Sequence, residues 1–167
     1  RDAYMRDMTA LLPRAPLAIL LASLAILGAA LASQYWGGLQ PCALCMWQRW
    51  AYVATIVLGV AALLVGGRLR AALVGLAGLA FLAGAGVAVF HVGVEQHWWQ
   101  GLSTCSGGTG AQTVEQLKAQ ILAAPVARCD EVAWALFGIS MAGWNVLASL
   151  VLAGFSAVAA RVLWRNA

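Results

Sequence analysis

The chain has 167 residues, 63% of them hydrophobic and 10% charged, with a formal net charge of +4. Soluble domains carry about 25% charged residues, so an ordinary soluble domain is excluded and an integral membrane protein is indicated. The basic residues sit at the ends of apolar runs and not on one polar face, which speaks for the lipid bilayer as surroundings and against nucleic acid as a partner.

Arg1 to Met8 read as a polar lead-in, and no cleaved secretory signal is expected. The first apolar run predicts a span over about 17–33, preceded by Pro13 and Pro16, where helix starts tolerate proline. It carries no charge and reads as scaffold. A short loop over about 34–44 follows, with Tyr35 and Trp36 suited to a headgroup interface and Gly37-Gly38 and Pro41 suited to turns.

The second span, over about 45–65, opens on Pro41-Cys42-Ala43-Leu44-Cys45-Met46-Trp47-Gln48-Arg49. Pro41 fits a first helical turn, and Cys42, Cys45 and Arg49 then share one face at i, i+3 and i+7. A helix N-terminus and a guanidinium both favour thiolate over thiol, the form that attacks disulfides and donates electrons. Arg49 would reach back toward the sulfur or sideways to a ring bound beside the helix; snorkelling to the headgroups is the competing use.

Arg68 and Arg70 mark a tight basic turn before a third span over about 71–92. Ala71 and Gly75, Ala80 and Gly84, and Gly84 and Ala88 are small pairs at four-residue spacing, which let helices approach closely. His91 lies near its end, with Glu95 and His97 just beyond. The long polar loop over about 93–143 holds Cys105 and Cys129. Within it, Thr113 to Gln116 fits a capping box, and Val114, Leu117, Ile121 and Leu122 recur at helical spacing. The pattern predicts a short amphipathic helix on the membrane surface, ended by Pro125. The run Val132–Leu163 is too long for one span of about 20 residues, so Trp134 to Ser140 is placed at the interface and the fourth span at about 144–163.

The expectation is therefore an all-α membrane protein: one four-transmembrane-helix bundle over 1–167 with an interfacial helix in its second outer loop. Seven basic residues fall on one side of these spans (Arg1, Arg6, Arg14, Arg68, Arg70, Arg161, Arg165) against Lys118 and Arg128 on the other. The positive-inside rule makes the first side cytoplasmic, with both termini inside and all four cysteines at or beyond the outer face. In a bacterium that face is an oxidising periplasm. Seven of the eight tryptophans also lean to that end. They form either an aromatic belt or the walls of an apolar site.

Four cysteines allow three pairings. Cys42 and Cys45 are close enough to pair locally, with Cys105 and Cys129 as the second pair. Zinc binding and purely structural disulfides compete with a redox use, but zinc is disfavoured because only one Cys-x-x-Cys is present, and structural staples leave Arg49 on the cysteine face unexplained.

These residues resemble the bacterial disulfide bond formation protein B family, the membrane quinone reductases that reoxidise the periplasmic dithiol oxidase DsbA. The likeness rests on Pro41-Cys42-Ala43-Leu44-Cys45 opening the second span, Arg49 beyond it, Cys105 and Cys129 in the second outer loop, and Cys129-Asp130-Glu131-Val132-Ala133-Trp134 with Phe137 and Gly138 leading into the fourth span. His91 resembles the family's histidine at the end of span three, with His97 as a neighbouring candidate.

The resemblance implies a disulfide-generating enzyme of the bacterial inner membrane. DsbA exchanges with Cys105–Cys129, attacking at Cys105, and Cys129 passes the electrons to Cys42–Cys45. A membrane quinone, ubiquinone or menaquinone, then takes them at Cys45. The quinone site implied is Cys45, Arg49, His91 and Trp134, and no metal is implied. Because DsbA itself stands at about −120 mV, an acceptor of high potential has to drive the reaction. A vitamin K epoxide reductase-like enzyme is the nearest alternative, though its Cys-x-x-Cys is expected late in the bundle. A structural or transport protein with stapling disulfides is the alternative of another class, and it lacks the intramembrane acidic residues of a cation path.

Overall fold

The computed structural model describes residues 14–102, 113–115, 118 and 127–167. Among these residues are four helices long and apolar enough to cross a membrane: α1 (Ala15–Tyr35), α2 (Ala43–Leu64), α3 (Gly67–Glu95) and α4 (Met141–Arg165). Each contains the span expected for it, to within a residue at Val65.

The helices run alternately up and down. Ala15 of α1, Ala62 of α2, Val74 of α3 and Ala159 of α4 share one apolar cluster at one end. Cys42 and Leu44 of α2, Val94 of α3 and Cys129 form a second cluster at the other. Helix α3 is the central member, packed most extensively on α4 and then on α2, while α1 lies against α2. Its buried side is made of Ala71, Val74, Ala77, Gly78, Phe81, Gly84, Ala85, Ala88 and His91, the three- and four-residue spacing of one helical stripe. Small residues on that stripe do what lipid-embedded helices require, since packing and not exclusion of water holds them together. At Gly84 a Cβ would stand 2.9 Å from the Ala51 Cβ of α2, so this contact needs glycine.

Polar side chains close the helix ends. Arg70 Nε donates to the carbonyls of Ala62 and Val65 at 3.2 and 2.8 Å, satisfying the C-terminal turn of α2. Arg68 lies 5.7 Å over the Trp164 ring at the same basic end. Ser140 caps α4, its Oγ accepting from the Gly143 N–H at 3.1 Å.

The segment expected at the interface before α4 is a small antiparallel hairpin, β1 (Ala135–Leu136) with β2 (Ile139–Ser140). Its turn residues Phe137 and Gly138 have φ of 54° and 78°, and Phe137 is 87% exposed. Of the expected amphipathic helix, 114, 115 and 118 are helical, and the remainder lies outside the described residues. So does Cys105.

Candidate redox site where α2 begins and α3 ends

Helix α2 starts at Ala43, so Pro41 stands outside it and Cys42 is the N-cap, a correction to the expectation that Pro41 begins the helix. The Cys42 sulfur accepts from the Cys45 N–H at 3.3 Å, the place a serine or aspartate oxygen usually fills. Cys42 and Cys45 are free thiols with their sulfurs 2.9 Å apart. The structure thus shows the reduced pair where the sequence suggested a disulfide. Cys42 is buried and Cys45 partly open. Hydrogen bonding from the Cys45 thiol, and then from His91, outweighs burial and holds the Cys42 thiol well below the ordinary thiol range.

His91 reaches this sulfur from the end of α3, with Nε2 at 3.5 Å from Cys42 Sγ. The ring is 4% exposed. Its Nε2 is also 3.9 Å from Glu95 Oε1, one turn on, and Glu95 in turn accepts from Ser140 Oγ. His97, the neighbouring candidate, sits instead at an exposed turn with φ of 60°. Cys129 is fully buried in the same apolar cluster as Cys42, and its backbone hydrogen-bonds the His91 side chain. Cys129 is disulfide-bonded.

Arg49 takes a direction the sequence did not specify. One guanidinium nitrogen donates to Gln34 Oε1 at 2.5 Å and the other to the Ala30 carbonyl at 3.1 Å, both on α1. The side chain therefore ties the mouth of α2 to the last turns of α1, half-buried beside the redox pair and not snorkelled outward. Trp134 is 42% exposed at the root of the hairpin, where its carbonyl accepts from the Met141 N–H. Among the described residues its indole makes no hydrogen bond or ring contact. The rings of Trp36, Trp47 and Trp50 are exposed, as in a belt. Trp99 folds back onto α3, stacked on Phe90 at 5.9 Å with its Nε1 donating to the Phe90 carbonyl. An apolar cavity of about 300 Å³ lies between α3 and α4, lined by Val89, Val92, Trp98, Ile139, Val146 and Leu147, and includes neither Cys45 nor Arg49.

Cys42 Sγ, Cys45 Sγ and a His91 nitrogen lie within 4.8 Å of one another, as ligands of one metal ion would. Thiolates 2.3 Å from a tetrahedral zinc stand about 3.8 Å apart, whereas these sulfurs are at 2.9 Å. That spacing is closer than two thiolates on one zinc ion take. Cys45 is the half-open member of the pair, and the nearby Arg49 guanidinium is engaged by α1.

Sequence alone assigns no role to Gln34, Gln48, Tyr52, Glu95, Asn145 and Ser149. The signal was present: Gln48 with Tyr52, His91 with Glu95, and Asn145 with Ser149 are polar pairs four apart in apolar helices, hence on one face each.

Comparison with known proteins agrees with the constellation. Residues 13–159 match the model of the family described as Disulfide bond formation protein DsbB. Disulfide bond formation protein B 2 of Pseudomonas syringae pv. syringae (strain B728a) is 35% identical over 146 residues, covering 80% of this chain and 79% of that protein. Disulfide bond formation protein B of Herminiimonas arsenicoxydans is 41% identical over 83 residues, 48% of this chain and 51% of that protein. No solved structure matches the chain.

Proposed function

The chain belongs to the DsbB family of disulfide bond formation proteins, and from that premise we propose that it reoxidises a DsbA-like dithiol oxidase at the periplasmic face of a bacterial inner membrane and passes the electrons to a membrane quinone. Family membership carries disulfide formation by a multi-pass membrane oxidoreductase. The observation supporting the finer reading is the burial of Cys129 against Cys42 and His91. That contact puts a loop cysteine within reach of the membrane pair, which electron transfer between two disulfides demands.

The proposed sequence balances as successive thiol–disulfide exchanges. A DsbA thiolate attacks Cys105 of a Cys105–Cys129 disulfide, forming a mixed disulfide and releasing Cys129 as thiolate. Cys129 attacks Cys42 of the oxidised pair, and Cys45 leaves as thiolate. The second DsbA thiolate resolves the mixed disulfide, and the freed Cys105 attacks Cys129. This restores the loop disulfide and leaves Cys42 and Cys45 as the reduced pair seen here. A quinone, when bound, supplies the sink for two electrons and two protons. The residues of the chain that serve this last step are Cys45 at the open side, Arg49 with a permanent charge and a fork of donors, and His91 against Cys42.

Purified protein supplied with reduced DsbA and either ubiquinone or menaquinone tests the reading. Quinone consumption matched by DsbA oxidation, with a trappable mixed disulfide at Cys105, is expected. Failure to oxidise DsbA with both quinones would refute it.

A further inference from the structure

A chain of buried polar groups leads from the redox pair into the bundle and joins three helices. Gln48 Nε2 meets His91 Nδ1 at 2.9 Å. Gln48 Oε1 accepts from Asn145 Nδ2 on α4. Asn145 Oδ1 accepts from the Tyr52 hydroxyl on α2, and Ser149 Oγ stands 3.0 Å from that hydroxyl. Gln48, Tyr52, His91 and Ser149 are 7%, 3%, 4% and 1% exposed, and Asn145 between them is half-buried.

The direction of the chain has a chemical meaning. A carboxamide offers a donor at one end and an acceptor at the other. With both amides oriented as they are, Gln48 presents N–H to His91 Nδ1, so Nδ1 accepts and carries no proton. The groups at Nε2 are acceptors: Cys42 Sγ at 3.5 Å and Glu95 Oε1 at 3.9 Å. Nε2 must then hold the proton. Turning His91 into an imidazolium would set its Nδ1–H against the Gln48 amide N–H. Relief would require both amides to reverse together and the Tyr52 and Ser149 hydroxyls, which now donate to Asn145 Oδ1, to turn into acceptors. An unmade hydrogen bond at such depth costs about 1–3 kcal/mol.

We propose that Gln48, Asn145 and Tyr52 are positioning residues that hold His91 as the neutral Nε2–H imidazole, its one proton aimed at the Cys42 sulfur. His91 is then a fixed hydrogen-bond donor to the Cys42 thiolate and not a base that collects a thiol proton at Nδ1. Its consequence for turnover rests on the thiol-oxidase reading, but the proton's position can be measured without DsbA or quinone.

The test uses the full chain in detergent micelles, reduced with dithiothreitol and labelled with nitrogen-15 in histidine. The chain has 2 histidines, so a His97→Gln variant assigns the signals. Wild type is expected to show a protonated Nε2 and an unprotonated Nδ1 at neutral pH. Tyr52→Phe keeps the ring and its edge contact with Phe81 at 6.0 Å, removing only the hydroxyl. It and Gln48→Leu are expected to give mixed tautomers. In a background with Cys42 as the single cysteine, each is expected to slow iodoacetamide alkylation about tenfold at pH values below the thiol's midpoint, the equivalent of one pH unit in thiol acidity. Circular dichroism at wild-type helicity establishes that the variants fold, and Tyr52→Phe serves where Gln48→Leu does not. A wild-type His91 protonated at Nδ1 overturns the proposal. So does a folded variant with an unchanged histidine spectrum, or one whose alkylation rate stays at the wild-type value.

Discussion

Replacing Arg49 separates the clamp that the structure shows from the quinone role proposed for the same side chain. Its guanidinium holds Gln34 Oε1 at 2.5 Å and the Ala30 carbonyl at 3.1 Å, and so clamps α2 to α1. Hydrogen bonds to charged donors contribute about 1.5–3 kcal/mol each. Both lie at a half-exposed mouth where headgroups and water replace part of the loss, so Arg49→Ala is expected to cost about 2 kcal/mol of helix pairing. If the same charge also receives the electrons' partner oxygen, losing it costs a similar amount there, about a 30-fold rise in apparent quinone KM. Arg49→Lys keeps the charge but reaches only one of the two α1 acceptors, so its KM is expected to rise about fivefold. Exchange at Cys105 should continue in both variants, because the loop step does not involve this mouth. Quinone titrations with reduced DsbA, run beside thermal unfolding in detergent, read the two roles separately. A lowered melting temperature with an unchanged KM for Arg49→Ala would leave Arg49 as a clamp between helices and refute its part in quinone binding.

Cys105→Ser is expected to abolish exchange with DsbA while the Cys42–Cys45 pair still reacts with quinone; normal DsbA oxidation by that variant would reassign the cysteines. Membrane-impermeant maleimide added outside intact spheroplasts after reduction should label Cys105, and labelling only after lysis would invert the topology drawn from the arginines. Gly84→Val should destabilise by about 1–3 kcal/mol through overpacking, since a Cβ there stands 2.9 Å from Ala51, whereas Gly86→Ala, with open space at its Cβ, should leave the melting temperature unchanged. Arg128 donates to both Asp130 oxygens and holds that carboxyl down at about 2. Any stabilisation from this exposed pair is therefore present above the ordinary carboxylate range and lost as pH falls from there through about 2. Carbon-13 titration should find Asp130 back in the ordinary range in Arg128→Ala, and an unmoved titration would show that another group is responsible.

The spans were legible because long apolar runs with charged ends have few other uses in a chain of this composition. Their ends were less so. Helix α3 runs to Glu95 because His91 and Glu95 find partners on other segments, which lets the helix carry polar groups beyond the apolar stretch. Helix α4 begins at Met141 because Ser140 caps it. A cysteine capping α2 is not a signal that N-cap preferences lead one to seek. The hairpin at 135–140 was read only as interfacial, since Phe137 is an unusual residue for positive φ and a two-residue turn usually shows Asn-Gly or a like pair. At the site, the cysteines and Arg49 stood out by residue type and spacing. The direction of Arg49 did not, because a long side chain on a helix reaches several neighbours and only the packing of α1 chooses among them. The His91–Gln48–Asn145–Tyr52 chain was hidden for a similar reason. Its links join positions 43 to 97 residues apart, and each member alone reads as an isolated polar residue in a span.

The sulfur that caps α2 makes the electron count of the pair a mechanical variable. In the reduced state Cys42 Sγ is an electron-rich acceptor for the Cys45 N–H at 3.3 Å. Once it is bonded to another sulfur it is a poorer acceptor, and the first turn of the helix loses its terminal latch. Each turnover would then fasten and unfasten that turn. The backbone N–H of Cys45 would exchange with solvent deuterium slowly when two electrons are stored and faster when they have left. An exchange rate blind to oxidation would show that the cap carries no such signal. If the rate follows oxidation, the helix end becomes an intrinsic reporter of charge state, readable without dye, quinone or partner.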